Sequence, residues 1–386
     1  MADADTDKHS AAIWRIGVCD AHCHPTDIME SVNSIATMRA QALTVMATRL
    51  QDQQLVVEAA DKFPLDLAEI FDDARSKKYV VPSFGWHPWY SHQMIDDRRR
   101  KGETDAVQHY QNVLTPKCED EDFLNSLPRP LSLSQYLKET EERLRLFPHA
   151  LVGEIGLDRA FRLPSNSTGD APTNNCHDPD LEGEYTPGSR EGRQLSPYRV
   201  SLQHQKAILE AQLELAGKLG RPVSIHSVHT HGHVFDVLQS LWKGYEKPSK
   251  RALKDSIIFT DALIAENPPS ASLPYPPRIC LHSYSGPPDP LGQFLASTVP
   301  AELYFSFSVA INFSTPGAAK TEAVIKAIPD DRILIESDLH RAGERMDDLL
   351  QEIIIKVCQI KGWTLEAGAR QLKNNWLRFV FGPKSG

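Results

Sequence analysis

Short apolar runs of strand length alternate along this chain with longer segments in which apolar residues recur at helical spacing. Runs that are rich in β-branched residues and bounded by Pro, Gly, Asp or Ser are typical of buried strands. The predicted strands are Val18–His24, Ala42–Thr48, Tyr79–His87, Ala150–Asp158, Arg221–Ser227, Arg278–Ser283, Glu302–Val309 and Arg332–Asp338. The segments between and after them predict helices over Asp66–Lys78, Ser134–Leu146, Tyr198–Leu219, Val234–Tyr245, Thr321–Ala327, Met346–Lys361 and Thr364–Phe381.

This alternation of strand and helix predicts an α/β fold with a parallel sheet, and eight repeats predict a closed (β/α)8 TIM barrel. Such a barrel needs about 250 residues, whereas the chain has 386. We therefore predict one domain over residues 1–386, with its core at about 18–382. Three segments, at about 95–130, 162–197 and 246–277, are predicted to be loop insertions.

Composition limits the classes of function and partner. The chain is 41% apolar, and its 42 Lys and Arg against 51 Asp and Glu leave a net charge of −9. That balance excludes coating of nucleic acid by bulk electrostatics, although metal ions in a pocket could still attract phosphates. Six cysteines without a CxxC pair predict reduced thiols. No apolar run approaches the ~18 residues of a membrane span, so we expect a cytoplasmic or nuclear monomer without membrane contact.

Metal-binding side chains occur near the ends of several predicted strands. His22 and His24 lie two residues apart on the first strand, so their side chains point to the same face. The other candidates lie near the ends of the fourth, fifth, sixth and eighth strands: Glu154, His226, His282 and Asp338. In a barrel these positions meet at the C-terminal face, where the active sites of this fold are built. The sequence therefore predicts a metal centre.

Four histidines and two carboxylates exceed what a single tetrahedral metal site requires. The surplus predicts two divalent ions about 3.5–4 Å apart, with the catalytic carboxylate Glu154 as the bridge. Asp338, the second catalytic candidate, either binds a metal or holds the proton of the attacking water. Glu336 lies on the same strand face as Asp338 and is predicted to support the metal ligands.

Candidate substrate contacts lie beside the third and fourth strands. His87 is a candidate for phosphate, and Trp86, Trp89 or Tyr90 could stack on a base, although such aromatic residues also pack beneath loops. Arg159 follows the fourth strand and could hold phosphate or simply be solvated. The chain contains no G-x-G-x-x-G, P-loop or G-x-S-x-G pattern, so nothing supports a nucleotide cofactor or a serine hydrolase.

Taken together, these motifs resemble the TatD family of metal-dependent deoxyribonucleases, which are barrel hydrolases related to amidohydrolases. The resemblance extends from about Val18 to Gly382, and its landmarks are DAHCH, GWHP, GEIGLD, PVSIHS, LHSYSG, ESD and NNWLRFVFG. It implies the same six metal ligands, dependence on Mg²⁺, Mn²⁺ or Zn²⁺, and exonucleolytic hydrolysis of DNA at a 3′ end or in a single strand.

The chain also departs from the family pattern. The family usually has an arginine two residues after the fifth-strand histidine, where this chain has Val228. After the last aspartate, the usual Ser or Ala, Pro and aromatic are replaced by Leu339-His340-Arg341-Ala342. These changes and the insertions resemble a fungal branch of the family, which implies a protein partner, a TPR subunit of the anaphase-promoting complex.

Three hypotheses follow from the sequence. The first is a metal-dependent phosphodiester hydrolase, in particular a deoxyribonuclease. The second is a hydrolase or deaminase of the amidohydrolase type that acts on a small molecule, although the position often occupied by a metal-bridging lysine is Glu154 here. The third is an interaction module that binds a protein partner through its insertions.

Overall fold

Eight parallel strands form the centre of the protein. The structure, a computed structural model, describes residues 11–73, 77–98, 105–165, 194–249, 272–314 and 317–383. The strands are β1 (Cys19–Cys23), β2 (Ala42–Met46), β3 (Tyr79–Ser83), β4 (Val152–Asp158), β5 (Val223–Val228), β6 (Arg278–Leu281), β7 (Glu302–Phe307) and β8 (Ile333–Ile335). All eight predicted strands are present, and most end earlier than predicted because the polar residues that follow them belong to the loops.

The strands close into a ring in chain order. β1, β2 and β3 pair in parallel, as do β4 to β8. A parallel bridge between Ser83 and Leu151 joins β3 to β4. On the other side, the amide of Asp338 donates to His22 O at 3.0 Å, which connects the end of β8 to β1. The predicted (β/α)8 TIM barrel is therefore confirmed.

Helices pack around this ring and cover its outer face. Their bounds are α1 (Leu50–Lys62), α2 (Ala106–Val113), α3 (Glu121–Ser126), α4 (Leu133–Leu146), α5 (Leu202–Lys218), α6 (His231–Trp242), α7 (Leu291–Phe294), α8 (Ala318–Ala327), α9 (Glu344–Lys361) and α10 (Leu365–Phe381). Helical segments of the 3-10 type cover Pro25–Thr37, Pro88–Gln93 and Asp330–Arg332, and a π-helical turn covers Val309–Phe313. Among the described residues, no helix is both long and apolar enough to cross a bilayer.

One predicted helix is wrong, and the helix that follows β2 was missed. In place of a helix over Asp66–Lys78, residues 67–71 form a turn. The described residues that follow, at 72–73 and 77–78, are all charged and offer no apolar face. The helix after β2 is α1, whose buried positions include Asp52 and Gln53. Gln53 Nε2 donates to Gly85 O at 2.9 Å. Because polar residues with internal partners occupy the buried face of α1, its sequence lacks the usual apolar pattern.

The first predicted insertion, at about 95–130, is more than a loop. It contains α2 and α3, and Tyr110, Phe123 and Leu124 bury their side chains there with Phe161 and Leu163 from beyond β4. Two short strand pairs fasten it to the barrel, one between Met94–Ile95 and Leu131–Ser132 and one between Leu114–Thr115 and Arg199–Val200. The insertion therefore forms a small packed layer at the C-terminal rim.

The other two predicted insertions lie partly outside the described residues, which omit 166–193 and 250–271. On either side of residues 166–193, Pro164 and Leu195 form an antiparallel bridge. The amide of Ser165 donates to Gln194 O at 2.6 Å. The two ends of this segment therefore start from neighbouring points on the barrel. The five cysteines within the described residues form no disulfide.

Candidate metal centre

The polar residues at the ends of β1 and β8 meet where the barrel closes. His22 lies in β1 and His24 follows its last residue; their Nε2 atoms are 3.1 Å apart. The amide of His24 donates to Leu339 O at 2.8 Å, next to the contact between Asp338 and His22. Asp338 Oδ1 thereby lies 3.5 Å from His24 Nε2 and 3.8 Å from His22 Nε2. These three side chains form one potential metal site.

Glu154 faces two groups of histidines at once. It lies in β4 beside β5, which carries His226, and its side chain is buried. Glu154 Oε2 is 3.4 Å from His22 Nε2 and 3.3 Å from His24 Nε2. Glu154 Oε1 is 2.9 Å from His226 Nδ1 and 2.8 Å from His282 Nε2. The structure thus brings together all six residues that the sequence proposed as metal ligands.

A second group of side chains orients these histidines. His22 Nδ1 lies 2.8 Å from Ser224 Oγ, and His226 Nε2 donates to Asp158 Oδ2 at 3.1 Å. Glu336 is fully buried with its Oε1 3.7 Å from His282 Nδ1. Hydrogen bonds on the far side of an imidazole select its tautomer and aim the other nitrogen. The nitrogens left facing Glu154 are therefore those placed to bind a cation.

Burial and the charge of nearby groups shift the pKa values of the two carboxyl groups in opposite directions. Burial raises the pKa of Glu154, but the surrounding imidazoles, first His87 and His282, outweigh burial and hold that pKa well below its ordinary value. Burial likewise raises the pKa of Asp338, but the hydrogen bond from His24 and nearby imidazoles lower it to about 2. Both carboxyl groups are consequently ionised at neutral pH, as cation binding requires.

The donor set fits divalent metal ions. Four imidazoles and two ionised carboxylates converge within a buried volume, and the ligand atoms of each potential site lie within 4.8 Å of one another. Buried carboxylates are costly unless positive charge is close by. Neutral imidazole and carboxylate are the ligands of Zn²⁺ and Mn²⁺, and carboxylates also suit Mg²⁺. The arrangement matches a metal centre better than a structural ion-pair network.

A cavity of about 310 Å³ opens above these residues. His87 lines it, but His87 Nε2 donates to Glu154 Oε1 at 3.0 Å and Nδ1 accepts from Trp89 N, so both nitrogens have internal partners. Burial lowers the pKa of His87 to about 4 and keeps it neutral. Trp86 was wrong as a base contact, because it is 1% exposed and packs against Tyr136. Trp89 and Tyr90, the other two aromatic candidates, do line the cavity.

Arg159 is exposed and is absent from the described residues that line the cavity. Sequence reasoning missed three residues that do line it: Asp27, Arg49 and His340. Arg49 Nη2 donates to Asp27 Oδ1 at 3.2 Å, and His340 Nδ1 donates to Asp27 Oδ2 at 2.7 Å. The only signal in the sequence was the unusual His340 after the last aspartate. Asp27 lies in the helical segment after β1 and Arg49 lies just before α1, so the two share no local pattern.

The comparison with known families agrees with this geometry. A model of the family described as TatD related DNase matches residues 19–381. The chain belongs to the TatD family. Members of this family are metal-dependent hydrolases, so the predicted family and the hydrolase class are confirmed.

Two curated TatD-like relatives come from fungi. The chain is 36% identical over 368 residues to the Cut9-interacting protein scn1 of Schizosaccharomyces pombe, covering 94% of this chain and 98% of that protein. It is 30% identical over 326 residues to an uncharacterized deoxyribonuclease of Saccharomyces cerevisiae, covering 82% of this chain and 86% of that protein.

Two solved structures of TatD proteins share the fold. The TatD homologue YJJV of Escherichia coli superposes with a TM-score of 0.51 at 17% identity, covering 96% of this chain and 99% of the other. A TatD family hydrolase of Entamoeba histolytica superposes with a TM-score of 0.51 at 13% identity, covering 95% of this chain and 99% of the other.

Proposed function

We propose that this TatD protein is a deoxyribonuclease that hydrolyses phosphodiesters with two divalent metal ions, Mg²⁺, Mn²⁺ or Zn²⁺. The observation that carries the proposal is the position of Glu154, whose two oxygens each face a different pair of histidines. A carboxylate with that arrangement is suited to bridge two cations. Family membership supports the same reaction class.

In this proposal, His22, His24 and Asp338 would hold one cation and His226 and His282 the other, and Glu154 would serve both because each of its oxygens faces one of the two groups. Bound cations supply Lewis acidity, which makes water more acidic and neutralises charge on the phosphodiester oxygens. Asp158 and Ser224 keep the imidazoles aimed at the centre. His87, which donates to Glu154, orients the bridging carboxylate.

Asp338 is proposed to accept the proton of the attacking water. Its side chain is 14% exposed, compared with 5% for Glu154, so it is the more accessible of the two catalytic carboxylates. It also lines the cavity in which a substrate would sit. A base must lie within hydrogen-bonding distance of the proton that it removes, and a water held at the cavity edge of the ligand set would be within reach of the Asp338 carboxylate.

Metal removal tests this function directly. The protein is expected to release nucleotides from labelled single-stranded DNA when Mg²⁺, Mn²⁺ or Zn²⁺ is present, to lose that activity in EDTA, and to regain it when metal is restored. Gel analysis of 5′- and 3′-labelled oligonucleotides gives the polarity, with 3′ release expected. Cleavage that is unchanged in EDTA would contradict the proposal. Hydrolysis of cyclic amides without cleavage of phosphodiesters would favour an amidohydrolase instead.

We also propose that the protein binds a partner in the cytoplasm or nucleus, namely the TPR subunit of the anaphase-promoting complex that the sequence resemblance implies. The supporting observation is that a relative with 36% identity over nearly its whole length is named for its interaction with Cut9. Binding of this kind is compatible with hydrolysis, because the metal centre lies inside the barrel mouth.

Partner binding is expected to survive EDTA and to be lost when residues 166–193 are removed. The hydrogen bond between Ser165 and Gln194 holds the two ends together, so a short glycine linker can replace the segment without disturbing the barrel. Affinity for the purified TPR subunit, measured by calorimetry, checks the result. Retained metal-dependent hydrolysis by the shortened chain is the control for folding. Undiminished binding by the shortened chain would contradict a role of residues 166–193 in partner binding. Loss of binding on chelation would contradict binding that is independent of metal.

A further inference from the structure

Trp89 connects the first insertion to the metal centre. Its indole packs against the apolar cluster to which the insertion contributes Tyr110 and Phe123. It stacks on Phe161, another member of that cluster, with ring centroids 4.7 Å apart and an angle of 11° between the rings. The same indole meets the ring of His226 edge-on, with centroids 5.9 Å apart. One side chain therefore joins the packed layer at the rim to a proposed metal ligand.

The indole N–H of Trp89 donates to the carboxylate that holds His226. Trp89 Nε1 lies 2.7 Å from Asp158 Oδ2, and His226 Nε2 donates to the same oxygen at 3.1 Å. The other oxygen, Asp158 Oδ1, accepts from the amides of Ala160 at 2.6 Å and Phe161 at 2.9 Å. Asp158 is buried, so these hydrogen bonds form away from bulk water. The position of Asp158 Oδ2 is therefore fixed jointly by the proposed metal ligand and by Trp89.

Trp89 also fixes a second imidazole on the same side of Glu154. Its backbone amide donates to His87 Nδ1 at 3.2 Å, which leaves His87 Nε2 to donate to Glu154 Oε1 at 3.0 Å. Glu154 Oε1 is the oxygen that faces His226 and His282. We call this half of the centre, His226 and His282 with Glu154 Oε1, the second cation site. The side chain and the backbone of Trp89 thus both act on groups of the second cation site.

We propose that Trp89 is a positioning residue for the second cation site, and that the first insertion holds its indole in place for this role. A hydrogen bond that fixes an outer carboxylate also fixes the imidazole bound to it, and loss of such a partner typically lowers metal affinity by roughly 10–100-fold. Without the indole N–H, the Asp158 carboxylate can turn, and His226 Nδ1 is no longer held toward Glu154 Oε1. The inference rests on the proposed function, because it requires two bound cations.

Two substitutions remove different parts of this connection. Trp89→Phe keeps an aromatic ring against Phe161 but removes the indole N–H. Phe161→Leu keeps an apolar side chain in the cluster but removes the stacked ring. Trp14→Phe is the matched control, because Trp14 Nε1 also donates to a side-chain oxygen, Gln351 Oε1 at 3.0 Å. Trp14 is not among the described residues that line the cavity above the metal ligands.

Metal binding without substrate gives the test. Calorimetric titration of Mn²⁺ into protein stripped with EDTA measures the affinity for each cation, and electron paramagnetic resonance shows whether two bound Mn²⁺ ions are close enough to couple. The wild type is expected to bind two ions and to give the coupled signal. Trp89→Phe should lower the affinity for one ion by about tenfold or more, leave the affinity for the other unchanged, and weaken the coupled signal at two equivalents of metal. Phe161→Leu should act in the same direction by a smaller factor, and Trp14→Phe should match the wild type.

The wild type and the variants report on different claims. Fewer than two bound ions in the wild type would contradict the two-metal part of the proposed function, and the role of Trp89 with it. Two ions in the wild type, with unchanged or higher affinity for both in Trp89→Phe, would overturn the role of Trp89 alone. Equal weakening of both sites in Trp89→Phe would also overturn that role, because the effect would not be specific to the second cation site. Selective weakening of one site supports the role of Trp89 whether or not the protein cleaves DNA.

Discussion

Glu154→Ala is expected to lower kcat/KM for DNA hydrolysis by about a thousandfold, at the upper end of the loss seen when one electrostatic group is removed from an active site. Among the described residues, Glu154 is the only one whose side-chain oxygens face both histidine pairs. Its loss removes the one carboxylate that all four imidazoles share and so weakens both proposed metal sites. Metal analysis of the purified variant should show fewer than the wild-type number of bound ions.

Two control variants distinguish the effect of the Glu154 charge from the effect of its side-chain size. Glu154→Gln keeps the size and hydrogen-bonding oxygen but loses the charge, so its activity should be nearly as low as that of the alanine variant. Glu142→Ala, at an exposed position on α4, should behave as wild type. Wild-type metal content together with wild-type rate in Glu154→Ala would show that the metal centre lies elsewhere.

Gly156→Ala is expected to destabilise the fold by about 4 kcal/mol or more, in the range that marks an exceptional substitution. Gly156 has a φ of +153°, and a Cβ atom there would lie 2.0 Å from His226 O. Because Gly156 pairs with His226 across β4 and β5, relief of the overlap requires the strands to separate at the metal centre. Urea unfolding in EDTA measures the loss of stability, and metal titration measures the accompanying loss of affinity.

Gly232→Ala is the matched control for Gly156→Ala. Gly232 lies in the first turn of α6, and a Cβ atom there would have no neighbour within 4 Å. Alanine in a helix is favoured over glycine by roughly 0.5–1 kcal/mol, so this variant should be as stable as the wild type or slightly more stable. An unfolding midpoint for Gly156→Ala that equals the wild-type midpoint would contradict the predicted overlap with His226.

The sequence was sufficient for the barrel strands because each has a local signature, namely a short β-branched run that ends in a polar residue. His226 and Asp338 were found through the same signature, since both follow buried apolar residues. Helix α1 lacked the helical spacing of apolar residues that would have revealed it, because Asp52 and Gln53 face inward with internal hydrogen-bond partners. The helices of the first insertion were missed for a related reason, since their apolar residues pack against Phe161 and Leu163, which lie far along the chain.

The amino-acid sequence by itself determined the succession of parallel strands and the identity of six side chains able to bind metal. Only the tertiary structure decided which atoms meet. Closure of the ring places Asp338 beside His22 and His24, more than three hundred residues earlier in the chain, and aims the two oxygens of Glu154 at separate histidine pairs. Packing of Tyr136 on α4 against Trp86 buries that side chain, whereas Trp89 lines the cavity above the metal ligands. Such contacts depend on long-range pairing and packing, which no local pattern of hydrophobic and polar residues records.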